Sequence, residues 1–238
     1  GVKTCHLVAP QYWGWAPWRV HGYRKAMDLS LTILPHEPSW FSRHGVRTRH
    51  IGHPLLDDLA EIPVTRPDER SSILAILPGS RRGVIQRNLR WMLDALGPLR
   101  QAAPAAEVRI LQATDEHAAL IRELATGHEV TLACGDLHGE LARARAAFAV
   151  SGTILTDVLH HRLPTVVVYR FSKRLESFLY DHVLTTPYFA STNLLAGHEV
   201  LPEHGFRGRG PVEEVRAQVR AIFEDPETRA RAGRELEL

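Results

Sequence analysis

The pattern that most limits how this chain folds is an alternation of short apolar runs with longer amphipathic stretches. The runs are TCHLVA (4–9), LSLTIL (29–34), SILAIL (72–77), EVRILQ (107–112), EVTLA (129–133), AAFAV (146–150) and PTVVVY (164–169). Short continuous runs rich in Val, Ile and Leu suit strands buried on both faces. Helical patterns fall near 18–26, 37–44, 84–101, 115–125, 138–145, 153–162 and 172–183, with two more near 211–224 and 226–236. Asp225-Pro226 separates the last two, with Pro226 at a first helical position. Strand–helix alternation predicts an α/β fold in which helices cover both faces of a parallel sheet.

One segment breaks the rhythm. LAEIPVTRPDERSS (59–72) has two prolines, mixed charge and no periodicity, and reads as a linker. The expected organisation is an α/β remnant over 1–62, a linker at 63–71, a Rossmann-like domain over 72–210 and C-terminal helices over 211–238. The chain starts without Met and almost at once in a strand-like run, which reads as a start inside a domain. Its 238 residues, 44% of them hydrophobic, suffice for two cores. A net charge of +2 lacks the clustered basic footprint of a nucleic-acid partner. Lys3, Lys25 and Lys173 are the only lysines; arginine supplies the other basic residues, which biased genome composition explains as readily as phosphate affinity. Two cysteines, Cys5 and Cys134, form no disulfide framework and fit a reducing compartment. No run approaches the roughly 18 apolar residues of a membrane span, and no signal peptide is visible.

Two loops suit an anion. In LPGSRRGVIQRNL (77–89) a turn joins a strand to a helix. Such a loop lies at the carboxyl edge of the sheet, where open α/β folds bind ligands. The helix start presents unpaired N–H groups and a positive dipole end. Gly79 and Gly83 permit close approach, Ser80 brings a hydroxyl, and Arg81 or Arg82 a bidentate fork. Phosphate or diphosphate fits, although the P-loop spacing is absent. The competing reading is an ordinary turn with solvent-facing arginines. In AVSGTILTDVL (149–159), Ser151, Gly152 and Thr153 open a helix, and Asp157 shares a face with Thr153. Its carboxylate could accept from ribose hydroxyls. Equally, it could complement the dipole of a helix capped by Ser or Thr.

Three further stretches are less decisive. STNLLAGHEVLPE (191–203) has Asn193 before a short apolar turn, then Gly197, His198 and Glu199. H-E-x-x-H would need histidine where Pro202 stands, and the other histidines form no ligand set, so no metal is expected. PQYWGWAPWRVHGYRK (10–25) carries Trp13, Trp15 and Trp18, either a packing plug or a platform for sugar or acyl chains. YRFSKRLESFLYDHVL (169–184) is either a core-facing aromatic helix or one lying on an acidic membrane.

Taken together, HLVAPQYWGWAPWRV, LPHEPSWFSRHGV with IGHPLLD, LPGSRRGVI, VSGTILTDV, VVVYRFS and TNLLAGHEVLPE resemble, in order, motifs of the lipid-A-disaccharide synthase family. That family consists of glycosyltransferases of the GT-B type, with two Rossmann-like domains. The resemblance implies transfer of 2,3-diacylglucosamine from UDP to 2,3-diacylglucosamine 1-phosphate (lipid X), inverting and without metal or organic cofactor. It implies a diphosphate seat at Gly79, Ser80, Arg81, Ser151, Gly152 and Thr153. It also implies a ribose and donor pocket with Asp157, Arg170, Asn193 and Glu199. The implied setting is cytoplasmic, peripheral to the inner membrane, with a homo-oligomer among the expected partners. Ala16, Val84, Thr192 and Asp157 depart from the family's pattern, which has arginine, glutamate, proline and glutamate there. The family's candidate general base belongs to an N-terminal half that this sequence does not contain, so no catalytic base is assigned. Two other classes remain beside it: another UDP-sugar enzyme on the same scaffold, such as a UDP-GlcNAc 2-epimerase, and a non-catalytic UDP-sugar-binding module.

Overall fold

The computed structural model describes residues 1–64, 71–102, 106–171 and 186–237, with the side chains of 98–102 excepted. The chain divides into two compact units: Gly1–Glu61 with Lys173–Phe189, and Ile62–Ser172 with Ala190–Leu238. Most of the expected linker (65–70) and the expected helix at 172–183 lie outside the described residues.

In the first unit β1 (Cys5–Leu7), β2 (Leu29–Thr32) and β3 (Thr48–His50) form a parallel sheet in that order. Around it lie α1 (Tyr12–Trp15), a 3-10 turn at Pro17–Arg19, α2 (Val20–Ala26), α3 (Glu37–Arg43) and α4 (Leu55–Leu59). Ala9, Val20, Tyr23, Phe41 and Val46 form the core. Beside it a buried carboxylate ties three segments together. Glu37 accepts from Trp13 Nε1 at 3.0 Å and from the Ile33 and Leu34 amides at 2.9 Å each. A buried charge is tolerable when hydrogen-bonded in this way. Trp13 is therefore a packing residue, whereas Trp15 and Trp18 are exposed.

The second unit holds β4 (Ile73–Leu77), β5 (Glu107–Gln112), β6 (Thr131–Cys134), β7 (Ala146–Val150), β8 (Thr165–Arg170) and β9 (Glu203–Phe206). All pairings are parallel, in the order β6-β5-β4-β7-β8-β9. Every residue of ILAIL and AAFAV is buried, as two-sided coverage of the central strands requires. α5 (Arg82–Ala102) presents Ile85, Leu89, Met92 and Leu96, one stripe at helical spacing, to the core. α6 (Ala118–Leu124), α7 (Leu137–Arg143), α8 (Ile154–His160) and α9 (Ser191–Ala196) follow. α10 (Val212–Glu224) buries Val215, Val219, Ile222 and Phe223 in the same core, and α11 (Pro226–Glu235) follows it. Asp225 caps α11, accepting from the Glu227 and Thr228 amides.

Several elements have no counterpart in the apolar pattern. β3 (TRH) and β9 (EHGF) are short edge strands without an apolar run. α1 and α4 are single turns, and α9 stands where a turn was expected. Gly197, with φ of 75°, closes α9 in the left-handed conformation that glycine adopts without cost.

Candidate functional site

Counted from β4, the strand order of the second sheet is 3-2-1-4-5-6, that of a dinucleotide-binding fold. The order reverses between β4 and β7. Beyond the carboxyl ends of those strands the two connections diverge and leave a crevice, the usual ligand position in open α/β sheets. Here it is a cavity of about 330 Å³. The sequence-derived residues Gly79, Ser80, Arg81, Ser151, Gly152, Thr153 and Asp157 all line it.

The first wall follows β4. Gly79 has φ of +94°, a conformation that side chains oppose. A Cβ there would also stand 2.9 Å from Val84 Cγ1. Gln112, at the end of β5, holds the turn by donating Nε2–H to the carbonyls of Gly79 and Leu111, each at 3.0 Å. The Arg81 carbonyl accepts the amides of Val84 (2.9 Å) and Ile85 (3.0 Å) and so opens α5. The N–H groups just before these have no partner within a helix, and they stand at the positive end of a 21-residue helix. Arg81 itself is exposed at the rim.

The second wall follows β7. The Ser151 amide still donates to the Val168 carbonyl at 3.1 Å, which carries the sheet to the cavity edge. Thr153 occupies the N-cap of α8 but makes no side-chain cap bond, so its hydroxyl is not committed to capping. One turn on, Asp157 is half-buried. Burial pushes its carboxyl above the usual carboxylate range, and the nearby His138 and His160 oppose that shift. His138 Nε2 lies 3.7 Å from Asp157 Oδ1. His138, Gln112 and Tyr169 were not singled out from the sequence. The one available signal was for Gln112, a polar residue ending an otherwise apolar strand at the carboxyl edge.

Three expected pocket residues do not line this cavity. Arg170 follows Tyr169, which does; successive residues of a strand point to opposite faces, so Arg170 turns away. Its amide donates to Asn88 Oδ1 (3.1 Å) and its guanidinium to the Arg87 carbonyl (3.3 Å). Asn193 is fully buried. Its Oδ1 accepts the Val200 and Leu201 amides at 2.9 Å, and its Nδ2 donates to the Leu201 carbonyl (2.8 Å) and Glu203 Oε2 (3.0 Å). Asn193 thus pins the 193–203 segment. Glu199 stands exposed on that segment's turn. Among the described residues no three His, Cys, Asp or Glu side chains group as metal ligands, and no helix is long and apolar enough to cross a membrane.

A family model described as lipid-A-disaccharide synthetase matches residues 1–231. The lipid-A-disaccharide synthase of a Pseudomonas putida strain is 34% identical over 212 residues, covering 85% of this chain and 56% of the relative. That of Idiomarina loihiensis is 32% identical over 215 residues with the same coverage. The chain therefore spans about 56% of the length of these curated relatives. Among solved structures, the GtfA/B complex matches 92% of this chain and 42% of its own, with TM-score 0.57 and 12% identity. A Listeria monocytogenes protein assigned as a UDP-N-acetylglucosamine 2-epimerase matches 97% and 61%, with TM-score 0.55 and 14% identity. These structures share the fold, which is of the GT-B type.

Proposed function

Because the chain belongs to the lipid-A-disaccharide synthetase family, we propose that it is the donor-binding part of a glycosyltransferase that seats a UDP-sugar in the β4–β7 crevice. The observation that carries this reading is the convergence of two strand-end loops, each with glycine and hydroxyl groups, on one cavity at the point where the strand order reverses. In this reading the diphosphate lies between the N–H groups of the 79–82 turn and the hydroxyls of Ser151 and Thr153. Arg81 reaches it from the rim, and Asp157 accepts from the ribose.

The transfer forms a bond from an acceptor hydroxyl oxygen to the sugar's anomeric carbon. It breaks the acceptor's O–H bond, whose proton passes to a general base, and that carbon's bond to the β-phosphate oxygen, and negative charge grows on departing UDP. Preorganised N–H donors and a guanidinium at that oxygen stabilise the transition state more than the ground state. The donor is 2,3-diacylglucosamine on UDP and the acceptor is lipid X, with inversion at the anomeric carbon. No metal or organic cofactor takes part. Substrates of this kind place the whole enzyme peripherally at the inner membrane. None of the residues described here is assigned as the general base.

Thermal shift with nucleotides tests the seat. UDP is expected to raise the midpoint more than UMP, because only UDP fills the diphosphate site. Arg81→Ala is expected to shrink that difference, and equal shifts for UDP and UMP in the parent chain would refute the diphosphate assignment.

A further inference from the structure

Asp157 does not stand alone at the cavity wall. Behind it His138 Nε2 lies 3.7 Å from Oδ1, and His138 Nδ1 lies 3.3 Å from Nε2 of the fully buried His161. The first distance is that of an ion pair, too long for a hydrogen bond. The contact is therefore Coulombic, and its strength follows the charge on His138. The second distance allows one proton between the two rings: one nitrogen donates and the other accepts. Two imidazolium rings at that separation would repel, so charge on one disfavours charge on the other. Positive charge is less costly on the partly exposed His138, beside Asp157, than on the fully buried His161.

Most titratable groups on α7, on β5 and at the end of α8 have partners of their own. On α7, Asp136 accepts the Gly139 amide, and Glu140 pairs with Arg109 of β5 and with Arg143. Arg109 is also held by Glu107. At the end of α8, His160 Nε2 meets the Ile62 carbonyl at 2.9 Å, and Arg162 pairs with Glu237. Cys134 of β6 is exposed, and Arg81 lines the same cavity as Asp157.

We propose that His138 is a positioning residue for the bound nucleotide, holding the Asp157 carboxylate toward the ribose hydroxyls and holding it more firmly as the imidazolium. This rests on the UDP-sugar reading of the cavity. It makes ribose recognition, and with it donor affinity, depend on the charge that His138 carries.

The test compares UDP with 2′,3′-dideoxy-UDP by calorimetry at pH 8 and pH 6. Protonation of the diphosphate affects both ligands alike and cancels in the ratio of their dissociation constants. In the parent chain the preference for UDP is expected to grow about threefold on going to pH 6, the scale of a partly exposed ion pair. His138→Gln is expected to abolish that growth, and Asp157→Asn to bring the preference near one at both pH values. His138→Asn repeats the measurement should the glutamine variant fold poorly. A pH-dependent preference that survives both His138 substitutions, or a pH-independent preference in the parent, overturns the role of His138 while leaving UDP binding intact. If UDP itself does not bind at either pH, the nucleotide reading and this role fall together.

Discussion

Gly79 lets the cavity be probed through the backbone. Replacing it with alanine meets two separate obstacles. The first is conformational: φ of +94° costs a non-glycine residue roughly 1–3 kcal/mol. The second is steric: the new Cβ would stand 2.9 Å from Val84 Cγ1, an overpacked contact costing about 1 kcal/mol or more. Together they predict a loss of roughly 2–4 kcal/mol. The two parts separate in a double-mutant cycle. Val84→Ala removes Cγ1 but leaves φ untouched, so Gly79→Ala should cost about 1 kcal/mol less in that background. Hydrogen exchange on peptides covering β4 and the start of α5 reads the local opening free energy of the second unit without interference from the first. UDP affinity should fall with Gly79→Ala and recover in part in the double variant, because Gly79 shapes the turn that presents the amides. Strict additivity of the two substitutions would show that the Gly79–Val84 contact does not govern the turn. A neutral Gly79→Ala would refute the conformational argument as well.

Two further outcomes follow from the same geometry. Asn193→Ala removes four hydrogen bonds and leaves the buried Val200 and Leu201 amides unpaired, so it should destabilise the second unit by about 3 kcal/mol or more, readable by chemical denaturation. An unchanged midpoint would contradict the clamp. Asp157→Asn should trade function for stability. Burial raises the folded-state pKa of Asp157, so ionisation opposes folding above that pKa and the penalty disappears as pH falls below the unfolded value. The asparagine variant is therefore expected to be more stable than the parent at pH 7 and no more stable at pH 3, while binding UDP less tightly. A stability gain that persists unchanged at pH 3 would show that ionisation is not its origin.

The features legible in the chain are those that one local rule decides. ILAIL and AAFAV read as central strands because two-sided burial demands unbroken apolar runs, and both lie at the centre of the sheet. TRH and EHGF escaped because each is set by the neighbour it pairs with, β2 or β8, and carries no apolar run of its own. The same distinction runs through the site. Gly79, Ser80, Ser151 and Thr153 could be found because strand, turn and helix follow directly in sequence, so a loop's position on the sheet edge is inferable from its flanks. Arg170 and Asn193 could not be placed that way. One residue of register decides whether Arg170 or Tyr169 faces the cavity, and the hydrogen bonds of Asn193 depend on how the 193–203 segment folds back. His138 is the extreme case: it lies 19 positions before Asp157 and 23 before His161, with nothing in its immediate neighbours to mark it. Short polar motifs thus mark the loops that line the cavity, whereas His138 and Asp157 are brought together only by the fold, in which α7 packs against β4, β5 and β6.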